Sequence, residues 1–380
     1  MKIKVHKEDA AGERRVAIVP ESVKRLAAKK IAVTMADGAG VGSFFSDDDY
    51  RAAGAVADDN AAVAEHIHLQ IRPPSLAQAQ QLAENSTLIS LLYPLSNLEL
   101  VKALAARRIT AVAVDMIPRT TVAQMMDVLS SQATVAGYEA VLIAAAALPR
   151  FFPMLMTAAG TIAPARALVL GAGVAGLTAI GTARRLGAVV EAFDVRKVVK
   201  EQVESLGAKF VNVESEDAQS AGGYAKELGE EAKRKQAEAI AEHVRKADVV
   251  ICTAQIPGRP APLLVSEDMV KSMRAGSVIV DLAAEAAVPG GAVARPGNCA
   301  LTRAGETVVA HGVTIIGAND TTSRLCAHAS QMYSRNMEKL LLHFSKDGVW
   351  NLNFADEIIS GCVITHAGEI VHARVKEAAL

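Results

Sequence analysis

Aromatic residues are scarce in this chain: one Trp, five Tyr and eight Phe among 380 residues. Alanine, valine, leucine and isoleucine must therefore build the interior. Charge of one sign is also missing. The net charge of −1 gives no electrostatic case for a nucleic acid or an anionic membrane as partner. The four cysteines, Cys252, Cys299, Cys326 and Cys362, are far apart and form no C-x-x-C. That fits a reducing compartment and argues against a disulfide scaffold or a zinc site. Lys2, Lys4, Lys7 and Glu8 interrupt any apolar leader. The most apolar stretch, Ala140 to Leu148, is too short to cross a bilayer. The expectation is a soluble, cytoplasmic chain without direct membrane insertion, able to dock on a membrane partner. Its length suggests two domains with ample core.

What is present is concentrated between Pro164 and Asp194. Ala167 to Leu170 read as a buried strand, and Gly171, Gly173 and Gly176 follow as G-x-G-x-x-G. A helical apolar pattern runs to Gly187, and a second strand, Ala188 to Phe193, ends at Asp194. In a dinucleotide site Gly171 allows the tight turn, Gly173 admits a pyrophosphate to the backbone, and Gly176 lets helix and strand pack closely. The N–H groups and dipole of the helix start favour phosphate charge. Asp194 stands about 20 residues on, where a carboxylate accepts from a ribose 2′-OH. A 2′-phosphate would meet its charge, so NAD is favoured over NADP. Arg196, close by, raises the opposite reading.

The remaining pattern alternates short strands with helices. In the first part the strands are Ile3–Val5, Ile31–Met35, Ile67–Ile71, Thr87–Leu91 and Ile109–Val114. In the second, Phe210–Val213, Val249–Thr253, Ser277–Leu282 and Val313–Gly317 are apolar on both faces, as a parallel sheet between helix layers requires. Helices are expected after Pro20, over Ala133–Leu148, over Glu230–Lys246 and, unbroken, over Thr321–Phe344. Asn351–Phe354 and Cys362–Thr365 look strand-like and should complete the first domain. The spacing predicts an α/β protein of two Rossmann-like, doubly wound parallel-sheet domains joined by two long helices, one from residues 1–128 with 321–380, the other from 129–320. Gly40 and Gly42 form no full fingerprint and read as a turn. His66 and His68 could share a metal, but without a third ligand nearby they read as polar residues near a sheet edge. Ser215 to Gly229, with Tyr224, is either a solvated loop or a mobile flap over a ligand.

One polar set stands apart: Arg119, Gln124, Asp127 and Ser130. An Arg–Asp pair would hold a loop in shape. A Gln amide and a Ser hydroxyl suit a carboxamide, which both donates and accepts. The plainer alternative is a capped helix start with a surface ion pair.

Several stretches together carry a family resemblance: GERRVAIVP, PRTTVAQMMDVLSSQATVAGYEAV, the fingerprint, KEQVESLGAKF, AGGYAKELGEE, TAQIPGRPAPLLV and GSVIVDLAAE. The chain resembles the NAD(H)-binding component of proton-translocating nicotinamide nucleotide transhydrogenases over essentially its whole length. The resemblance implies that Gly171, Gly173, Val174 and Gly176 hold the pyrophosphate, with Asp194, Val195 and Arg196 at the adenosine ribose. It places Tyr224 on a closing flap and Gln255, Pro257 and Gly258 at the carboxyl end of Val249–Thr253, beside the nucleotide. It sets Arg119, Gln124, Asp127 and Ser130 around the nicotinamide, as the catalytic group. It also implies hydride transfer between NAD(H) on this chain and NADP(H) on a partner domain, a homodimer, and membrane-spanning subunits that carry the protons and hold the chain on the inner face of the cell membrane. The rival is an NAD-dependent alanine dehydrogenase, which shares the two-domain plan. Arg15 would match its carboxylate ligand, but Arg72 stands where a lysine is wanted, Thr87 to Asn97 holds no histidine, and Glu285 stands for an aspartate.

Overall fold

The computed structural model describes residues 1–57, 66–212, 230–256, 260–286 and 297–380. The chain divides into two compact units, Met1–Gln132 with Thr322–Leu380, and Ala133–Thr321. In the first unit, β1 (Lys2–Val5), β2 (Ala32–Met35), β3 (Val56–Ala57), β4 (His66–Leu69), β5 (Thr87–Ser90) and β6 (Thr110–Ala113) lie in the order β3-β2-β1-β4-β5-β6, all parallel. Val363–His366 then pairs antiparallel with β6, and Glu369–Ile370 pairs with it in turn.

Successive strand residues point to opposite faces, so the apolar alternation decides what covers each face. Ile3, Val5, Ile67, Leu69, Ile89 and Val112 enter one core with Tyr333, Met337, Leu340 and Leu341 of the helix Cys326–His343. Ser330 and Ser334 of that helix accept the backbone N–H groups of Val16 and Val19, both at 3.0 Å, which satisfies an otherwise irregular buried segment. On the opposite face Leu88, Ala111 and Ala113 pack on Leu100, Val101 and Leu104 of the helix Leu98–Ala106. There β1 and β4 break the rule, for the same face carries Lys4 and His68. The expected position of His66 and His68 near a sheet edge is wrong, because β4 lies between β5 and β1 in mid-sheet. A polar side chain at such a position forgoes on the order of 1.5–3 kcal/mol that a buried Leu or Ile would contribute.

In the second unit β7 (Leu155–Thr157) and β8 (Gly160–Ile162) form a hairpin. β9 (Arg166–Leu170), β10 (Val189–Phe193), β11 (Lys209–Phe210), β12 (Val249–Cys252), β13 (Val278–Asp281), β14 (Thr307–Ala310) and β15 (Val313–Gly317) form one sheet, β11-β10-β9-β12-β13-β15-β14. All its pairings are parallel except β14 with β15. Both units therefore have the doubly wound order read from the sequence.

The helices depart from expectation in two places. The first long helix runs from Val128 to Ala147, starting before Ala133, and the unit boundary falls within it. By length and composition it is a candidate membrane span among the described residues, longer than its most apolar stretch suggests. Yet Val128 lies in the first unit's core, and Ala136, Ala140, Val141 and Ala144 in the second's, so it packs as a core helix. The helix expected over Thr321–Phe344 is two pieces, Thr321–Arg324 and Cys326–His343, broken at Leu325, whose φ of −101° and ψ of 39° are not helical. Asn351–Phe354 is not a strand. The strands there are Ser345–Lys346 and Val349–Trp350, joined by Asp347 and Gly348, both at positive φ, the backbone of a two-residue hairpin turn.

Gly137, within the first long helix, shows why that helix tolerates a glycine. A Cβ there would lie 2.1 Å from the Ala175 carbonyl oxygen. Gly137→Ala should lower stability by about 1–3 kcal/mol through overpacking, read as an earlier denaturant midpoint. An unchanged midpoint would mean that the two helices do not meet this closely.

Candidate nucleotide site

The second unit's strand order reverses between β9 and β12, and the turn after β9 carries the fingerprint. Gly171 has φ +101°, which disfavours any side chain. A Cβ on it would also lie 2.6 Å from the Thr253 hydroxyl, just past β12. That hydroxyl donates to the Gly171 carbonyl at 3.0 Å and ties the turn to the neighbouring strand. A Cβ on Gly176 would stand 1.8 Å from the Gly171 oxygen. Gly173 differs: its Cβ position is open, with only an Arg196 nitrogen 4.0 Å away. Gly173 begins the helix Val174–Arg185, whose first turn has no side-chain cap. An anion can therefore reach the N–H groups of that turn. Val174 is partly exposed at its mouth.

Asp194 follows β10. Its carboxylate accepts the Ala172 N–H at 2.7 Å and the Arg196 N–H at 2.9 Å. The Arg196 guanidinium forks onto both oxygens, at 2.9 and 2.7 Å. The two residues that the sequence set against each other as cofactor signals are thus one bidentate ion pair. Val195, between them, packs partly into the core under β9 and β12. Gln255 is exposed and donates to the Leu282 carbonyl at 3.1 Å. Pro257, Gly258 and Tyr224 lie outside the described residues. Sequence reasoning missed Thr253 and Asn298. Asn298, fully buried, accepts the Ala254 N–H and donates to the Ala254 and Pro262 carbonyls, which braces the segment after β12.

The Arg119–Ser130 segment belongs to the first unit. Arg119 and Gln124 are exposed. Ala123–Met126 is a tight 3-10 turn with Ala123 and Met126 buried, while Val122 and Met125 are 70% and 60% exposed. Asp127 is not helical. Its carboxylate accepts the Ser130 N–H at 2.9 Å and the Ser130 hydroxyl at 2.6 Å, capping the long helix. The capped helix start is therefore present. Asn336, unforeseen, donates to the Met125 carbonyl at 2.8 Å and fixes the turn from behind.

A second polar cluster in the same unit centres on Glu13. Arg15 meets it with two donors at 2.7 and 2.6 Å, Arg72 with one at 2.8 Å and Ser323 with one at 2.7 Å. Arg15 also donates to Gln132 at 2.9 Å and is 3% exposed. Here Arg15 is enclosed in an internal ion cluster. Among the described residues no group of three or more His, Cys, Asp or Glu could hold a metal.

Residues 4–136 match the family described as alanine dehydrogenase/PNT, N-terminal domain, and residues 140–373 match alanine dehydrogenase/PNT, C-terminal domain. The chain belongs to this family of two-domain proteins. It is 47% identical to an NAD(P) transhydrogenase subunit alpha chain of Rhodospirillum rubrum, over 98% of both chains. It is similar to the crystal structure of a transhydrogenase from Sinorhizobium meliloti, with a TM-score of 0.83 and 40% identity over 98% of this chain and 100% of that one. An alanine dehydrogenase of Halomonas elongata is 29% identical over 100% of this chain and 96% of the relative. The chain is a homologue of transhydrogenase alpha subunits, and the alanine dehydrogenases are distant relations.

Burial works to raise the pKa of Glu13, but the hydrogen bonds and charge of Arg15, with the charge of Arg72, hold it well below the usual carboxylate range. That contribution to stability is present above the unfolded carboxylate's pKa and is lost as pH falls towards the lower folded value. Glu13→Gln leaves two arginines without their counter-charge and should cost about 3–5 kcal/mol at neutral pH. The gap from the unsubstituted chain should narrow below about pH 4. Urea denaturation at pH 7 and pH 3.5 checks both, and a gap independent of pH would refute the charge assignment.

Proposed function

We propose that this chain is the NAD(H)-binding component of a proton-translocating transhydrogenase, passing hydride between its own NAD(H) and NADP(H) held by a partner domain. The observation that carries the reading is the fingerprint turn: Gly173 open at its Cβ position, an uncapped helix start behind it, and Asp194 beside it. These residues fit a dinucleotide. Gly171, Gly173, Val174 and Gly176 would hold the pyrophosphate, and Asp194 the adenosine ribose. Arg196, the cation that could accept a 2′-phosphate, is already forked onto Asp194, which favours NAD over NADP.

Bound NAD(H) supplies or accepts the hydride. The chain's own residues position it. Arg119, Gln124, Asp127 and Ser130 form the nicotinamide-side set, in which Asp127 and Ser130 fix the helix start and Gln124 presents an amide from a braced turn. Val195, Gln255, Pro257, Gly258 and the Tyr224 flap line the nucleotide. Val122 and Met125, exposed on either side of Gln124, suit contact with the NADP(H)-binding partner. Protons cross in membrane-spanning partner subunits, with this chain peripheral on the inner face of the membrane. The exposed Met154, Met156 and Ile162 on and beside the β7–β8 hairpin favour a homodimer through the nucleotide-binding unit. Sedimentation at micromolar concentration should show a dimer, and a monomer alone would contradict it.

The function is tested by adding an NADP(H)-binding domain and measuring hydride transfer. NADH should bind the isolated chain more tightly than NADPH, and Asp194→Ala should narrow that difference. Gln124→Asn withdraws the amide by one methylene, and a misplacement of about 1 Å can cost on the order of 100-fold in rate. Transfer should fall at least about tenfold, with NADH affinity changed by less than about threefold, under 1 kcal/mol. An unaltered rate, or a defect confined to NADH binding, would overturn the positioning role.

A further inference from the structure

The first unit's sheet also has a point where its order reverses. From β1 the chain moves outward to β2 and β3, then returns to β4 on the other side of β1. Open α/β sheets bind ligands outside the strand carboxyl ends at such points. A cavity of about 270 Å³ lies at this place, lined by Lys4, His6, Lys7 and Glu8 from β1 and its exit and by His68 and Arg72 from β4 and its exit. It is smaller than the roughly 300–1,000 Å³ typical of drug-sized or cofactor ligands, which points to a small occupant. It adjoins the two central strands whose second face is polar. A sequence that breaks its own burial pattern in mid-sheet marks a site with another use.

The groups there fit an anion. Register sets Lys4 beside His68. His6 Nε2 and His68 Nδ1 meet at 2.9 Å, with His68 buried. One proton joins the two rings, and either can donate it. The contact survives one positive charge on the pair but not two, since two imidazolium N–H groups would then face each other. The acids nearby are turned to local donors. Glu8 accepts the Ile71 and Arg72 N–H groups at 2.6 and 3.1 Å, and Asp9 accepts from Gln78 at 2.7 Å. Burial pushes Glu8 up to about 7, so it sheds its charge near neutrality. Helix Leu76–Gln81 brings only the neutral Gln78 and Gln81 to the cavity. As pH falls through the imidazole range, the balance of Lys4, Lys7, Arg72 and the imidazole pair against Glu8 and Asp9 becomes positive.

We propose that this cavity binds a small oxyanion of the phosphate or sulfate class, taken up together with a proton on the His6–His68 pair. Sulfate is the suitable probe, because it is a dianion throughout pH 6–8 whereas phosphate titrates. Calorimetric titration of the full chain should give sulfate affinity about tenfold tighter at pH 6 than at pH 8. Runs in buffers of different ionisation heat should show uptake of about one proton per ion. His6→Asn and Lys7→Ala, at accessible positions, should each weaken binding at least about fivefold with the melting midpoint unchanged, and His6→Asn should also abolish the pH dependence. Sulfate held at the Gly171–Gly176 turn instead would ignore both substitutions. That result, binding independent of pH, or no binding at about 20 mM would overturn the proposal.

Discussion

The second unit depends on how closely a helix approaches the strand before it. The Gly171 carbonyl oxygen occupies space that a Cβ at position 176 would need, so helix Val174–Arg185 lies against the turn with no side chain between. Gly137 does the same from outside, letting the first long helix reach the Ala175 carbonyl. Two glycines far apart in sequence thus clamp one helix start between two neighbours. The positive φ of Gly171, the Thr253 hydroxyl on its carbonyl and the Asp194 carboxylate on the Ala172 N–H hold the turn in the shape this approach demands. An anion-binding helix end is useful only if it does not move, because the affinity of oriented N–H groups falls off steeply with misalignment.

The segment Val122–Met126 solves a related problem with different chemistry. Three residues per turn send Ala123 and Met126 inward and leave Val122, Gln124 and Met125 outside. Asn336 grips the Met125 carbonyl and Asp127 caps the following helix. The exposed amide is therefore carried by backbone that is fixed on both sides. A reaction whose chemistry belongs to two nicotinamides asks this of a protein, and it asks for no general acid or nucleophile.

How much was legible in the sequence follows from the distance over which each signal acts. The fingerprint and the parallel strands were readable because both are local: glycine spacing in one case, short doubly apolar runs in the other. Three hairpins escape such a reading. They turn at His311-Gly312, Asp347-Gly348 and Ala367-Gly368, each pair at positive φ. Their strands are short and several positions are exposed, so no apolar run announces them. The Asp-Gly pair is the usable signal, and attention to apolar stretches shifts that strand to Asn351–Phe354. Thr253 and Asn298 are invisible for another reason, since their partners are 82 and 44 residues away. The Asp194–Arg196 fork differs in kind: two residues that weigh as rivals in the sequence are partners in the fold.

The first unit is assembled from both ends of the chain. Val16 and Val19 are satisfied by Ser330 and Ser334, the amino terminus donates to the Gly348 carbonyl, and β6 receives its antiparallel neighbour from Val363–His366. A ribosome releases these pieces in order, so the first strands must wait with open edges and an uncovered apolar face until the last helix and strands emerge. The nucleotide-binding unit, by contrast, is one continuous segment and is complete while its neighbour is still half-built. Cellular dinucleotide could therefore stabilise that unit on a nascent chain by mass action, which makes the cofactor a participant in biosynthesis before it takes part in any reaction.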